Sequence, residues 1–340
     1  MQPAVLVTGG AGYVGSETVR VLLQAGFYPV VIDDLSTGFK EAVPDAVPFY
    51  LGDIKDYHFL NEIFLKYNIS SVIHLAAKIV VEESFNDPIG YYDTNVNGLI
   101  NLLRVCKKYL VKRIIFSSSG TVYGDANLTA GSNPKNQRLI SEESSVGPLS
   151  PYGSSKLFGE KIIQDAAKSF GLDSICLRYF NVAGAALDGK NGQRRRQASH
   201  VVHVASQAAF KPEKEFIIYG NNYETIDGTC VRDYIHVEDI ADIHVKAVQY
   251  LLDRRGENHV INCGYGRGYS VRQVVEAFSH VNQIHLKIKY GPRRLGDPAF
   301  LVCDASKLSE LLLWKPRLAD LSTICRTAFK WEINLKSSEK

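Results

Sequence analysis

The chain has 340 residues, of which 45% are hydrophobic and 22% are charged, and its formal net charge is +3. This composition is typical of a globular protein with a sizeable core, and the near balance of charge argues against nucleic acid as a partner. The first residues contain neither a basic segment nor a long apolar run, so we expect no signal peptide and no membrane span. Six scattered cysteines without a C-x-x-C motif favour a reduced, cytoplasmic protein without structural metal.

A glycine-rich stretch follows directly after the first apolar run. Residues 4–7 have the character of a short buried parallel strand, and residues 8–15 read Thr-Gly-Gly-Ala-Gly-Tyr-Val-Gly before a helix predicted over residues 16–24. Such glycines allow a tight turn and a close approach of a pyrophosphate to the helix N-terminus, where free N–H groups favour anions. The strand–turn–helix order therefore predicts a dinucleotide site. Its regularly spaced glycines are Gly9, Gly12 and Gly15.

Acidic residues follow the next two predicted strands. The second strand ends in Asp33 and Asp34, where a carboxylate can bond both ribose hydroxyls of an adenosine and would repel a 2′-phosphate, so NAD is favoured over NADP. The third strand, residues 49–51, precedes Asp53. Two interpretations of Asp53 stay open, contact with the adenine amino group and N-cap of a helix predicted over residues 57–67, and both can hold.

Apolar runs continue to alternate with helical segments. Residues 72–77 form the predicted fourth strand, in which the small Ala76 and Ala77 leave room for a cofactor and His74 is expected to be a core histidine. A long helix and a fifth strand over residues 113–116 follow. This alternation predicts an α/β fold with a doubly wound parallel sheet, whose ligands bind beyond the carboxyl ends of the strands.

Tyr152 and Lys156 lie four residues apart on a helix predicted over residues 151–170, so their side chains share one face. A phenol has a pKa of about 10, too high for a base at neutral pH, and we expect the neighbouring ammonium to lower it. Such a pair suits removal of a proton from an alcohol while hydride leaves the same carbon. Among the serines at residues 117–119, where turn formation is the alternative, Ser119 is the predicted hydroxyl partner.

The chain resembles the extended short-chain dehydrogenase/reductase superfamily, and along nearly its whole length the UDP-glucose (UDP-galactose) 4-epimerase family within it. The segments of the first half that carry the resemblance are residues 8–15, 117–124 and 150–156. The resemblance implies bound NAD and epimerisation at C4 of a UDP-hexose through a transient 4-keto sugar. It makes Tyr152 the base, Ser119 the assisting hydroxyl, and Lys156 a ligand of the nicotinamide ribose that tunes Tyr152. The residues predicted to bind the cofactor are Gly9, Gly12, Tyr13, Val14, Gly15, Asp33, Asp34, Asp53, Ile54, Leu75, Ala76, Ala77, Ser117, Tyr152, Lys156 and Phe180.

The second half resembles the same family in three further segments. They read Arg-Tyr-Phe-Asn-Val-Ala-Gly-Ala over residues 178–185, Asp-Gly-Thr-Cys-Val-Arg-Asp-Tyr-Ile-His-Val over residues 227–237, and Arg-Arg-Leu-Gly-Asp over residues 293–297. The resemblance implies that Phe180 packs by the nicotinamide and Tyr219 on uracil. It places Asn181 and two arginines on the diphosphate, and Asp297 on the uridine ribose. The residues predicted to bind the substrate are Ser119, Tyr152, Asn181, His200, Val201, Ile217, Tyr219, Arg232, Arg294, Asp297 and Leu301.

The motifs also bear on the other activities of related enzymes. Dehydratases and decarboxylases of the superfamily place an acid after the active hydroxyl, whereas this chain has Gly120 and Thr121, so both are disfavoured. Leu301 occupies the family's gate for an N-acetyl group, and its intermediate size leaves dual specificity open. Epimerases of UDP-N-acetylglucosamine, UDP-xylose/arabinose or UDP-glucuronate stay as alternatives. A catalytically silent NAD-sensing protein is a remote alternative, because the catalytic residues are present.

The predicted domains are an NAD-binding Rossmann domain over residues 1–180 and a smaller α/β UDP-sugar-binding domain over residues 181–340, with the site in the cleft between them. Members of the family often form homodimers through two helices of each subunit, which correspond here to residues 88–109 and 152–170. Asp233 and His236 are expected to fix a loop and cap the following helix. The basic run at residues 194–196, with the polar stretch before it, is predicted to be a solvated loop.

Overall fold

The computed structural model describes residues 3–125, 139–194, 200–211, 213, 215–294 and 296–338. Within this part the strands are β1 (Ala4–Thr8), β2 (Tyr28–Asp33), β3 (Phe49–Leu51), β4 (Ile69–His74), β5 (Arg113–Ser119), β6 (Asp173–Tyr179), β7 (Asn181–Ala183), β8 (Phe216–Tyr219), β9 (Val231–His236), β10 (Asn258–Cys263), β11 (Gly268–Ser270), β12 (Ile288–Gly291) and β13 (Phe300–Leu301). The helices are α1 (Tyr13–Gln24), α2 (Tyr57–Lys66), α3 (Val81–Asn86), α4 (Pro88–Tyr92), α5 (Gly98–Lys108), α6 (Pro151–Phe170), α7 (Val201–Ala208), α8 (Val237–Asp253), α9 (Val271–Asn282), α10 (Ser306–Leu312) and α11 (Leu321–Ser338).

Seven parallel strands form the main sheet, in the order β10-β6-β5-β4-β1-β2-β3. Apolar side chains of the central strands are buried on both faces of the sheet, because helices cover both faces. The predicted doubly wound parallel fold is confirmed. β4 ends at His74, three residues earlier than expected, and β5 continues to Ser119, three residues later. These two differences bring residues 75–77 and Ser119 to the same edge of the sheet.

Helix α6 has clear local signals at both ends. Pro151 occupies the first turn, and the side chain of Ser150 accepts a hydrogen bond from the N–H of Gly153. Gly171 ends the helix in the left-handed conformation, which glycine adopts without a Cβ penalty. The helix predicted over residues 88–109 is instead α4 and α5 joined by a π-helical turn at Asp93–Asn97. The amide of Asn95 in that turn donates to Ser155 of α6 at 2.9 Å.

The second lobe contains smaller sheets. β11, β9 and β13 form one sheet with β7 beside β9, and β8 pairs with β12. Residues 237–263 lie beyond the predicted domain boundary at residue 180 but pack with the first lobe. In this segment α8 packs against α1, and β10 pairs with β6 in the main sheet. The physical reason is that β10 covers the edge of β6, which would otherwise present unpaired backbone groups. In the described residues, no helix combines the length and the apolar character needed to cross a membrane.

Candidate active site

The loop between β1 and α1 is shaped so that glycine is required at two of its positions. A Cβ on Gly9, whose φ is +73°, would lie 2.6 Å from the backbone nitrogen of Ala76, and a Cβ on Gly15 would lie 2.1 Å from the carbonyl oxygen of Gly9. A Cβ on Gly12 would meet only that same oxygen, at 3.3 Å. The backbone therefore packs tightly on one side of the loop and leaves space on the other.

Helix α1 begins at Tyr13, three residues earlier than predicted. Its N-cap is Gly12, which supplies no side-chain acceptor for the first N–H groups. Tyr13, Val14 and Gly15 are therefore residues of the first helical turn, where main-chain donors and the helix dipole favour an anion. The hydroxyl of Tyr13 points away from the loop and donates to the carbonyl oxygen of Gly184 at 2.6 Å.

Asp33, the last residue of β2, and Asp34, which follows it, have different environments. Asp33 is buried and accepts hydrogen bonds from the backbone N–H of Ala11 in the glycine loop and of Leu35, both at 2.9 Å. Burial raises the pKa of its carboxyl group, and these two bonds oppose the rise. Asp34 is exposed and accepts from Ser36 in its own turn. Of the two, only Asp33 contacts the loop.

Asp53 and Ile54 lie between β3 and α2. The carboxylate of Asp53 accepts from the N–H of Lys55 at 2.8 Å, which closes a local turn. The N-cap of α2 is Asp56, so the N-cap interpretation of Asp53 is wrong. The side chain of Ile54 is buried, where it would be in the way of any Cβ on Gly98. Asp53 remains partly exposed and Ile54 can offer only its backbone.

Leu75, Ala76 and Ala77 follow β4 and are partly exposed at the carboxyl edge of the sheet. The N–H of Leu75 donates to the carbonyl oxygen of Thr8 at 3.0 Å, which holds this segment against the end of β1. His74 is buried, and its Nδ1 lies 2.7 Å from the hydroxyl of Thr8. Burial lowers the pKa of His74 to about 3, so it is a neutral core histidine, as predicted.

The structure brings Tyr152, Lys156 and Ser119 together at the end of β5, and all three are buried. The side chain of Ser119 is close enough to the hydroxyl of Tyr152 to lower its pKa. The ammonium of Lys156 donates to the carbonyl oxygen of Ser117 at 2.7 Å and lies 6.0 Å from the centre of the Tyr152 ring. The oxygen of Ser119 also accepts from the hydroxyl of Thr121 at 3.0 Å.

The pKa values of this cluster differ from the expectation. Burial raises the pKa of Tyr152, and the side chain of Ser119 only partly opposes the rise. Burial also lowers the pKa of Lys156, to about 7, because an ammonium loses its hydration there. Among the protein's own groups, the expected lowering of the pKa of Tyr152 by Lys156 is therefore wrong.

Phe180 directly follows β6, Asn181 begins β7, and Leu301 lies on β13. Phe180 and Leu301 belong to one apolar cluster with Tyr123, whose ring centre lies 6.4 Å from that of Phe180. The side-chain nitrogen of Asn181 is buried and has no hydrogen-bond partner in the described part of the chain. A buried donor of this kind is costly unless a ligand accepts from it.

The predicted uridine and diphosphate contacts lie on β8, β9 and the segment before β13. Ile217 and Tyr219 are exposed because side chains alternate along β8, where Phe216 and Ile218 point inward. His200 is exposed as the N-cap residue of α7, and Val201 is the first residue of that helix.

Each predicted diphosphate arginine has protein partners. The guanidinium of Arg232 is buried, forms an ion pair with Asp297, and donates to the carbonyl oxygen of Pro298 at 2.6 Å. The guanidinium of Arg294 lies 4.2 Å from the centre of the Tyr219 ring and 3.4 Å from a carboxylate oxygen of Glu82. Both arginines border the predicted substrate site. Arg232 ties β9 to Asp297 and Pro298, and Arg294 contacts α3 through Glu82 and β8 through Tyr219.

One contact surface was missed by the sequence analysis. The polar stretch before the basic run is only partly solvated: Asp188 and Lys190 are exposed, but the amide of Asn191 is buried and donates to Ser16 at 3.0 Å and to Glu17 at 2.9 Å. The guanidinium of Arg194 lies 4.9 Å from the centre of the Trp331 ring, and residues 195 and 196 lie outside the described residues. Polar composition gave no signal, because the hydrogen-bond partners are distant in sequence.

Asp233 and His236 on β9 act as predicted, and the loop that Asp233 holds is the one after β10. The carboxylate of Asp233 accepts from the N–H groups of Tyr265 at 2.9 Å and of Gly266 at 2.8 Å. The Nδ1 of His236 accepts from the N–H of Glu238, which caps α8. Both residues thus hold the second lobe together.

Comparison with known proteins identifies the family. The sequence matches the model of the NAD dependent epimerase/dehydratase family over residues 5–264. The chain belongs to this family. It is 43% identical over 336 residues to a UDP-glucose 4-epimerase of Azospirillum brasilense, covering 99% of this chain and 94% of that protein.

Solved structures of the family have the same fold. A UDP-glucose 4-epimerase of Brucella ovis in complex with NAD has a TM-score of 0.89 and 40% identity, covering 96% of this chain and 97% of that one. A UDP-glucose 4-epimerase of Bifidobacterium longum in complex with NAD+ and UDP has a TM-score of 0.89 and 36% identity, covering 97% and 98%.

NAD is the cofactor of the family, and the residues present fit it. Three features of this region suit the cofactor. There is space beside Gly12, the first turn of α1 has no side-chain cap, and the carboxylate of Asp33 accepts from the glycine loop. A helix N-terminus suits a pyrophosphate, and a carboxylate at the end of the second strand suits ribose hydroxyls.

Proposed function

We propose that the protein catalyses the NAD-dependent epimerisation of a UDP-hexose at C4, interconverting UDP-galactose and UDP-glucose. The observation that carries the proposal is the convergence of Tyr152 and Ser119 in a buried cluster at the end of β5, with Lys156 beside them. The relatives named UDP-glucose 4-epimerase, matched over nearly the whole chain, support the same reaction.

The cluster supplies a route for the proton of the 4-hydroxyl. Tyr152 as phenolate accepts this proton, while Ser119 hydrogen-bonds to the same oxygen. NAD, when bound, supplies an acceptor for the C4 hydride and returns the hydride to the other face of the flat 4-keto sugar. In the second half, Tyr152 gives the proton back, so the reaction is redox-neutral.

The substrate must stay bound while its sugar turns over. Contacts to the UDP moiety can hold the keto sugar while contacts to the sugar itself break. Arg232, Arg294 and the unpartnered amide of Asn181 would bind the diphosphate, and Tyr219 would stack on uracil. In this assignment Arg294 leaves the ring of Tyr219 when uracil binds.

The test is to mix the purified holoenzyme with UDP-galactose and assay UDP-glucose. We expect conversion to equilibrium without added oxidant. Absence of product with NAD bound would reject the proposal and favour an NAD-sensing role. UDP-N-acetylgalactosamine and UDP-arabinose, assayed side by side, decide the substrate range. Because Leu301 is buried against the cluster of Phe180, we expect the N-acetyl sugar to react more slowly than UDP-galactose.

We further propose that the protein is a homodimer. An apolar groove between α4, α5 and α6 is lined mainly by Ile89, Tyr92, Val96, Ile100 and Phe158, of which Ile89 is 76% and Phe158 49% exposed. Burying such side chains against a second copy would remove their apolar surface from water. Light scattering of the wild type should give twice the chain mass. Phe158→Glu should give a monomer, and a monomeric wild type would reject the proposal.

The reducing environment inferred from the sequence is part of the same proposal. All six cysteines are buried and free of disulfides. Free thiols of this kind behave as small apolar side chains and suit a reducing compartment such as the cytoplasm.

A further inference from the structure

A buried charged cluster lies directly behind the catalytic residues. The carboxylate of Glu160 on α6 accepts from the guanidinium of Arg178 on β6 at 2.8 and 2.7 Å, and from the hydroxyl of Ser118 on β5 at 2.5 Å. Glu160 is 2% and Arg178 is 5% exposed. The sequence analysis did not single out these residues, although Glu160 lies one helical turn beyond Lys156.

The cluster is placed where it can fix α6 against β5. Glu160 and Lys156 share one face of α6, and each is bonded to a successive residue of β5: Lys156 to the carbonyl of Ser117 and Glu160 to the hydroxyl of Ser118. The next residue of β5 is Ser119, whose side chain lowers the pKa of Tyr152. Lys156 and Glu160 thus tie two successive turns of α6 to two adjacent residues of β5, next to Ser119.

The same cluster reaches the other side of the cleft. Arg178 pairs with Ser118 in the register of β5 and β6, and it precedes Phe180 by two residues. Its guanidinium lies 4.7 Å from the centre of the Tyr123 ring, whose hydroxyl donates to Asn262 at 2.7 Å. The contacts of Arg178 therefore connect the strand that carries Ser119 to the turn that carries Phe180.

Stability alone does not account for a buried ion pair. Removing two charges from water is expensive, and well-packed apolar side chains of similar volume often serve a fold equally well or better. What a bidentate guanidinium–carboxylate pair adds is a fixed geometry, since both partners are planar and held by two bonds. Directional contacts of this kind matter most where a small displacement changes a reaction rate.

We propose that Glu160, Ser118 and Arg178 are positioning residues, which hold Tyr152 and Ser119 in register for proton transfer. They act through α6 and β5 and do not touch substrate or cofactor. For its effect on turnover, this inference rests on the proposed epimerase function. Its structural part, the contact of Tyr152 with Ser119, can be tested independently of that function.

Two variants and a matched control test the inference in the holoenzyme. Glu160→Gln keeps the shape of the side chain and removes the charge, and Ser118→Ala removes the hydroxyl and leaves the ion pair in place. The control is Glu257→Gln, which also removes a carboxylate bonded to a neighbouring side chain, that of His259, but lies just before the first residue of β10, in the same sheet. Wild-type turnover is measured first, so that failure of the proposed function is recognised separately.

The expected result is a loss of kcat on the order of tenfold to a hundredfold in Glu160→Gln, with KM within about twofold and NAD retained. Ser118→Ala should lose kcat by about three- to tenfold, and Glu257→Gln should match the wild type. Ultraviolet titration, with Tyr152→Phe as the spectral blank, should show a higher pKa for Tyr152 in Glu160→Gln and in Ser118→Ala. The reason is that Ser119, which lowers this pKa, is held less firmly near Tyr152.

Three outcomes would overturn the inference. The first is wild-type kcat and an unchanged Tyr152 titration in Ser118→Ala. The second is a loss of kcat that accompanies loss of NAD or a parallel rise of KM, since this would indicate general disruption. The third is an equal loss in Glu257→Gln. If Glu160→Gln does not fold, Ser118→Ala decides alone, and if the wild type does not epimerise, the titration decides.

Discussion

Tyr152 and Lys156 are both buried, and burial acts on their pKa values in opposite directions. It raises the pKa of the phenol and lowers that of the ammonium, so the protein alone favours the neutral form of each. A phenolate at neutral pH therefore needs a further positive charge or hydrogen-bond donor at the site. The oxidised nicotinamide ring carries such a charge, which would couple the basicity of Tyr152 to the state of the cofactor.

The residue-scale prediction concerns Tyr152→Phe. This change removes the proton acceptor and leaves the ring that packs edge-on against Tyr91, with 6.5 Å between the ring centres. We expect kcat to fall by roughly 10²- to 10⁴-fold, the range found for general acid–base groups. The holoenzyme should retain NAD and the fold, as measured by absorbance after gel filtration and by circular dichroism. A kcat within tenfold of the wild type would assign the base elsewhere.

At the scale of elements, local signals predicted some structure well and some not at all. Helix α6 was predicted within its true bounds because Ser150, Pro151 and Gly171 act through neighbouring residues. The start of α1 was missed because first-turn residues need not differ from turn residues when glycines precede them. The docking of Asn191 on α1 could not be predicted, since its partners Ser16 and Glu17 are 175 and 174 residues away.

The same distinction holds for the site. Motif spacing predicted that Ser119, Tyr152 and Lys156 meet, because each lies at a strand end or a helix start that faces the sheet edge. It could not predict the pKa directions, since burial depends on packing by the whole chain. It also missed Glu160 on α6, because its partner Arg178 lies on a different element, β6.

The glycine loop provides the prediction at this scale. Gly12→Ala should fold normally, because its Cβ would meet only the carbonyl oxygen of Gly9 at 3.3 Å. It should nevertheless bind NAD more weakly, since the methyl group enters the space beside the first turn of α1. Gly15→Ala should destabilise the fold itself, because its Cβ would lie 2.1 Å from that oxygen.

Calorimetric titration of NAD and thermal unfolding separate these effects. Gly147→Ala is the matched control, because nothing lies within 4 Å of its added Cβ. Normal NAD affinity in Gly12→Ala would show that the pyrophosphate does not approach this part of the loop.

For the whole molecule, three buried histidines predict sensitivity to acid. Burial lowers the pKa of His74 to about 3 and those of His236 and His244 to about 4, from the ordinary value of 6.5. Between pH 6.5 and about 4 the unfolded chain binds protons at these sites and the folded chain does not. The free energy of unfolding must therefore fall as the pH is lowered through this range, by about 1.4 kcal/mol per pH unit and histidine.

Urea unfolding of the wild type and of His244→Gln measures this slope. The variant should lose one histidine's share of the pH dependence, and His280→Gln, at an exposed position, is the substitution control. Identical slopes for all three proteins would mean that His244 is charged in the native state.

The return of α8 and β10 to the main sheet has a consequence for how the molecule can be divided. A fragment ending near residue 180 would expose β6 as a free, apolar border and invite association with other chains. The main sheet is thus complete only when α8 and β10, which follow residue 180 in the chain, have been added to it. Neither half can therefore be exchanged as a unit by joining two chains at a single point. We expect the two halves to unfold in one cooperative transition.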